Sequence, residues 1–218
     1  MRTILFLLLS TFISSAFGQN IQLVYSCQFE GFLDQSAVNF LPKECSISSN
    51  GEKMLISQRA DNPMFASDQL VDKDNTYIIN KFSKTYSVVP LTDNGNSDTP
   101  FEYKKIASGE KVAGYNCDKY SITYTDKEQS TTLFIWVTKD INLPKFPDNK
   151  KMNSPTSLAF QHNSIEGTIV KMEMPSPMPN SNMDQKIIYT LKSFSTEKLD
   201  PSLFEIPSNF TKISIPTK

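Results

Sequence analysis

The sequence predicts a mainly β (α+β) fold: one antiparallel sheet curled over a core, with a few short helices covering its concave face. Three observations carry this. Val, Ile, Thr, Tyr and Phe recur in short runs, and clusters of Asn, Asp, Gly, Ser and Pro break those runs. In the clearest run apolar and polar residues alternate, so Tyr120, Ile122 and Tyr124 share one face while Ser121 and Thr123 share the other. A sheet built this way has one dry face and one wet face. Strand pattern follows strand pattern with few helical periods between them, which argues a single sheet.

The elements read in chain order as follows. Residues 1–18 (MRTILFLLLSTFISSAFG) carry Arg2, then an apolar run, then Ala16 and Gly18 before Gln19. Small residues at those two places suit a signal peptidase, so cleavage after Gly18 is expected. The apolar run is short and interrupted by Ser and Thr, whereas a membrane span needs about 20 apolar residues. Residues 19–218 then form a single exported β-rich domain.

Residues 21–27 (IQLVYSC) predict a first strand. Residues 29–45 are less regular and predict a helical turn or two, as do residues 61–70. Residues 53–58 predict a second strand. Residues 76–80 and 85–89 are joined by a short polar connection, as in a hairpin. Residues 93–100 (DNGNSDTP) are the clearest loop of the first half, a hinge or boundary candidate unless one sheet continues past it. Residues 119–125 and 131–138 predict a second hairpin, and residues 164–174 and 185–194 two further strands. Between these last two, Pro175, Pro177 and Pro179 stand at every second place and deny ladder donors, which predicts an extended, exposed connection.

Charge and chemistry exclude several classes of function. The chain has 22 basic and 23 acidic residues in 218, with a pI near 5.9. Nucleic-acid binding needs a concentrated basic face, which this balance does not supply. A single histidine excludes most multi-histidine metal sites. There is no G-x-S-x-G elbow, P-loop, H-E-x-x-H or C-x-x-C. His162 lies in a polar stretch with no nucleophile turn beside it. Glu166 and Glu173 are the carboxylates that spacing leaves open. No enzyme activity and no cofactor are expected.

Export permits disulfides, and Cys27, Cys45 and Cys117 allow at most one intramolecular pair. Cys27 with Cys45 closes a short loop and is the preferred pair. The alternative is three reduced thiols packed as small hydrophobes. Met172, Met174, Met178 and Met183 form a cluster whose soft thioethers would suit Cu(I). The competing readings are ordinary strand packing, or a flexible apolar loop that adapts to a ligand.

Two segments carry a resemblance. In the first, Val112, Ala113, Gly114, Tyr115, Asn116, Cys117, Asp118, Lys119 and Tyr120 precede Ile135, Trp136, Val137 and Thr138. In the second, Leu203, Phe204, Glu205, Ile206 and Pro207 precede Ser208, Asn209 and Phe210. They resemble the "aGYxCxKY … WVT" and "LFxIPxgY" signatures of the DUF4412 family of small exported bacterial proteins. The resemblance covers about residues 101–213, roughly half of the chain, with no matching motif in the N-terminal half. It implies a LolA- or LolB-like half-barrel lined by helices. It transfers no catalytic residues, since the family has no established activity.

The expected function is therefore an exported, non-enzymatic binding protein of the cell envelope, in the periplasm or outside a Gram-negative bacterium, holding a lipid or other hydrophobic ligand. Tyr120, Ile122, Tyr124, Phe134 and Trp136 are the cavity candidates, since such cavities are lined chiefly by apolar and aromatic side chains. The alternative is an envelope interaction protein with a filled core. No nucleic-acid partner and no membrane span in the mature chain are expected.

Overall fold

The structure is a computed structural model that describes residues 20–32, 38, 40–91, 101–126, 129–142, 165–176 and 185–214. The expected leader at residues 1–18, the expected loop at residues 93–100, His162, Met178 and Met183 lie outside the described residues.

Twelve strands form one sheet. In chain order they are β1 (Ile21–Glu30), β2 (Glu44–Ser49), β3 (Met54–Arg59), β4 (Ser67–Val71), β5 (Asn75–Asn80), β6 (Thr85–Pro90), β7 (Phe101–Val112), β8 (Tyr115–Asp126), β9 (Gln129–Thr138), β10 (Thr168–Pro175), β11 (Lys186–Ser195) and β12 (Thr211–Lys212). Their spatial order is β12-β6-β5-β4-β3-β2-β1-β11-β10-β9-β8-β7. Every neighbouring pair is antiparallel except β12 on β6. The sheet is curved and unclosed, with β12 and β7 as its two edges.

Chain length alone demands the curvature. β6 and β7 stand near opposite margins, ten strand steps apart, about 48 Å in a flat sheet at the usual strand spacing. The ten residue steps from Leu91 to Phe101 reach at most about 36 Å. Only a curled sheet brings the two margins within that reach.

Alternation along β1 places Ile21, Leu23, Tyr25 and Cys27 on one buried face, the inner face. Register carries that face across the sheet. Leu23 faces Ile47, which faces Ile56; Cys27 faces Tyr189, then Met172, Ile135 and Tyr120. These residues form the main apolar cluster.

The opposite face has a smaller cluster. Leu55, Leu70 and Ile79 on β3, β4 and β5 pack with Phe204 from the C-terminal segment. Covered on both sides, β3 is a nearly continuous apolar run, MLIS. A 3-10 turn, Pro201–Phe204, drops Phe204 into place, and Asp200 caps it by accepting from the Ser202 N–H at 2.9 Å. Lys53 donates to the Phe204 carbonyl at 3.1 Å. The tail then adds β12 in parallel to β6, with the Thr211 N–H donating to the Lys84 carbonyl.

Two expectations are corrected. Residues 61–70 are not helical: the 3-10 turn Pro63–Phe65, capped by Asn62, leads directly into β4. Pro63 can only open such a turn, and Asp68, Leu70 and Val71 then follow strand geometry. Residues 29 and 30 extend β1 rather than starting a helix. Within the stretch expected to hold a helical turn, Val38 has helical backbone and its carbonyl accepts from the Leu41 N–H. No described element packs across the inner face.

Candidate functional site

The candidate site is built on the β7–β8–β9 margin. Val112 pairs with Tyr115, so Ala113 and Gly114 alone make the β7–β8 turn. Both have positive φ, 50° and 87°, which matches the two-residue turn that fits twisted hairpins. The glycine of the "GYxC" pattern therefore sets the register of the longest hairpin.

That register splits the five cavity candidates. Tyr120 faces Ile135 and Ile122 faces Leu133, both inner-face residues, so Tyr120, Ile122 and Tyr124 lie on the inner face. Tyr103 on β7 faces Ile122 and joins them. Ile122 is buried, while Tyr103, Tyr120 and Tyr124 are half-buried and pack against the main cluster. Phe134 faces Ser121 and Trp136 faces Lys119, which places both on the outer face. Register thus splits the five between two faces, while Ile122 and Trp136 both belong to the main buried cluster and Tyr120, Tyr124 and Phe134 pack against it.

Trp136 is only 2 % exposed despite its outer position. Its indole N–H donates to Glu110 Oε2 at 2.7 Å. The ammonium groups of its two cross-strand neighbours, Lys119 and Lys171, lie 4.3 and 4.4 Å from the ring centre. Cations over an indole face are held by the ring quadrupole. Lys171 also pairs with Glu173 at 2.6 Å, and Lys186 bridges Glu173 and Glu30 at 3.4 and 3.0 Å. Burial raises the Glu173 carboxyl, but Lys171 and Lys186 outweigh it and hold the group below its ordinary value. Glu166 pairs with Lys139 instead. The two candidate carboxylates thus each face lysines, the arrangement of ion pairs rather than of an acid–base couple.

All three cysteines are free and buried. Tyr25 stands opposite Cys45, and the Cys27 N–H donates to the Lys43 carbonyl. Cys27 and Cys45 are therefore diagonal neighbours rather than an opposed pair. Diagonal Cα atoms sit about 7–8 Å apart, at the limit of disulfide reach. Burial pushes the Cys45 thiol up to about 12, helped by the Glu44 charge, and pushes Cys27 up further.

Met172 and Met174 are inner-face core residues. Among the described residues no group of three His, Cys, Asp or Glu side chains is placed to hold a metal.

Reading the sequence missed Tyr103, Tyr25 and Tyr189 as inner-face residues. The signal for Tyr25 was present, since IQLVYSC alternates cleanly. Tyr103 lies in FEYKKIASGEKV, too polar to read as a strand.

An open, curled antiparallel sheet with one apolar face and an aromatic margin defines a class of fold, not an activity. The chain belongs to the DUF4412 family, a domain of unknown function, which matches residues 44–210. The match is wider than the two motifs suggested and takes in β2 to β6. No curated protein matches the chain. The crystal structure of an uncharacterized conserved protein from Thermus thermophilus superposes with a TM-score of 0.52 at 4 % identity, over 91 % of each chain. That likeness shows the fold alone.

Proposed function

We propose that the protein is an exported, non-enzymatic binding protein of the cell envelope that holds a lipid or another hydrophobic ligand against the inner face. The observation that carries this reading is the half-buried band of Tyr103, Tyr120 and Tyr124. It borders a mainly apolar face that no described element crosses. Tyrosines of this kind offer a ring to an acyl chain and a hydroxyl to its polar end. A LolA-like half-barrel would use its inner face in the same way.

A second reading is favoured by a different observation. Tyr25, Ile47, Ile135, Val170 and Met172 on the same face are fully buried, as in a filled interior. On that reading the protein acts through its surface as an envelope interaction protein.

Native mass spectrometry on protein purified from an exporting host separates the two. The ligand reading expects added mass that solvent extraction removes and that Tyr120→Ser with Tyr124→Ser abolishes. A bare mass in both proteins overturns it in favour of the filled interior. The same spectrum tests export, which expects a chain beginning at Gln19.

A further inference from the structure

Charge is shared unequally between the two faces of the sheet. Pairing register assigns each strand residue to a face. From β6 across the sheet to β9, no inner-face strand position among the described residues carries a charged residue. The outer face of the same strands carries Glu30, Glu44, Arg59, Asp68, Lys171 and Glu173. Charged residues reach inner positions only on β7 and β8. There Lys105 and Asp118 pair at 2.7 Å, and Lys111 and Asp126 stand near the ends of those strands.

The uncharged part of the inner face is not uniformly apolar. One row runs Leu23, Ile47 and Ile56, then continues as Gln69, Ile78 and Ser87. A second passes from Cys45 to Gln58 and Ser67, and a third from Met54 and Val71 to Thr76 and Val89. Amides and hydroxyls therefore replace aliphatic groups from β4 onward. Gln69 and Thr76 are half-buried, and Ile78 and Val89 are 42 and 37 % exposed. On the opposite face, Phe204 packs over this half of the sheet. A face left simply to water carries lysine and glutamate, the residues most often exposed. Neutral amides and hydroxyls beside open apolar groups are instead the lining of a pocket that orients a ligand.

We infer that the ligand is a neutral amphiphile with an uncharged, hydrogen-bonding head. This narrows the ligand reading proposed above and rests on it. The acyl chain lies over the apolar positions of β2, β1 and β11. The head, a glycerol or an amide, bonds to Gln69 and to its neighbours Gln58, Ser67 and Thr76. Side-chain amides and hydroxyls both donate and accept, which matches a head that does the same. An ionised carboxylate or phosphate at this place would exchange water for dipoles with no cation beside it, a loss that a neutral head does not incur. Lys105, at the other margin, already has its carboxylate.

The test compares two probes with the same acyl chain, monolauroylglycerol and laurate. Each is titrated calorimetrically into purified, solvent-extracted protein below its micelle concentration, at about pH 8, where the carboxyl is ionised. Monolauroylglycerol is expected to bind at least about tenfold more tightly than laurate, because only the anion is desolvated without a partner. Gln69→Lys supplies the missing cation. It is expected to bring laurate to at least the affinity of monolauroylglycerol. Thermal melting checks that this variant folds, and Ile78→Lys, at an exposed inner position, carries the test if it does not. Laurate binding to wild type as tightly as monolauroylglycerol overturns the inference and leaves the ligand reading standing. An unchanged preference in the folded lysine variant also overturns it, since the head then lies away from β4 and β5. Binding of neither probe overturns the inference and the ligand reading together.

Discussion

The hydroxyl of Tyr25 on β1 donates to the main-chain carbonyl of Ile169 on β10 at 2.9 Å, reaching over the intervening β11. A tyrosine ring spans two strand spacings only where the sheet curls toward it. The acceptor is available because the β9–β10 ladder shifts register between Ile169 and Lys171. Tyr25 is completely buried, so its hydroxyl has no water to fall back on. Tyr25→Phe leaves the carbonyl without this donor and is expected to cost about 1–3 kcal/mol. Urea unfolding gives the value. An unchanged midpoint would show that the bond does not hold the curl.

Trp136 is a structural wedge on the outer face, and its variants separate from those of the ligand band. Trp136→Ala is expected to cost about 3–5 kcal/mol, as for a large buried aromatic. Trp136→Phe keeps most of the ring but removes the donor to Glu110, for about 1–2 kcal/mol. Glu110→Gln retains an acceptor and costs less than either. In folded Trp136→Phe protein, ligand uptake should match wild type. Loss of uptake with full stability would place Trp136 in the binding site.

Much of this architecture was legible in the chain. The β5–β6 and β8–β9 hairpins show as strand–turn–strand patterns, and β1, β3, β10 and β11 show as apolar runs. β7 was not legible, because an edge strand with Lys104, Lys105, Glu110 and Lys111 has no reason to alternate. Nor was β4, read as helical because Ser67, Asp68 and Gln69 show no strand alternation, until Leu55, Ile79 and Phe204 surround Leu70. The candidate site was half legible. Tyr120, Ile122 and Tyr124 share a face by period alone. Phe134 and Trp136 went to the other face through a pairing register that only the Ala113–Gly114 turn and its ladder determine.

That turn makes its own prediction. Ala113 holds a φ of 50°, a left-handed conformation that costs an L residue about 1 kcal/mol. Its side chain is exposed, so nothing is gained in return. Ala113→Asn or Ala113→Gly should raise stability by about 0.5–1 kcal/mol. Gly114→Ala should lower it by a similar or larger amount, although open space surrounds the added Cβ. Thermal melting decides, and the two changes moving Tm in the same direction would refute the turn assignment.

The thiols can be counted. With Cys27, Cys45 and Cys117 all free and buried, a thiol-reactive dye should label native protein slowly and label three groups after unfolding in denaturant. Raised thiol pKa values slow the native reaction further, since the thiolate is the nucleophile. A count of one after unfolding would mean that Cys27 and Cys45 had joined, with the backbone shift their diagonal placement requires.

Acid should weaken the fold through two carboxylates in particular. Burial raises Asp72, but the Asp74 and Asn75 N–H groups, the Tyr77 hydroxyl and the Lys53 charge together bring it below its ordinary value. Glu173 is lowered by Lys171 and Lys186 against the same opposing burial. A carboxyl whose folded-state value is depressed contributes stability above its unfolded value, about 3.9 for Asp and 4.3 for Glu. That contribution is lost as pH falls through the folded value. Urea midpoints should therefore drop from about pH 5 downward, the window set by those unfolded values. Asp72→Asn with Glu173→Gln should start lower at neutral pH and converge with wild type in acid. Curves that stay parallel would show that neither carboxylate is linked to folding. Added salt should shrink the Glu173 part, which comes from lysine charges, and spare the Asp72 part, whose partners are mainly hydrogen-bond donors.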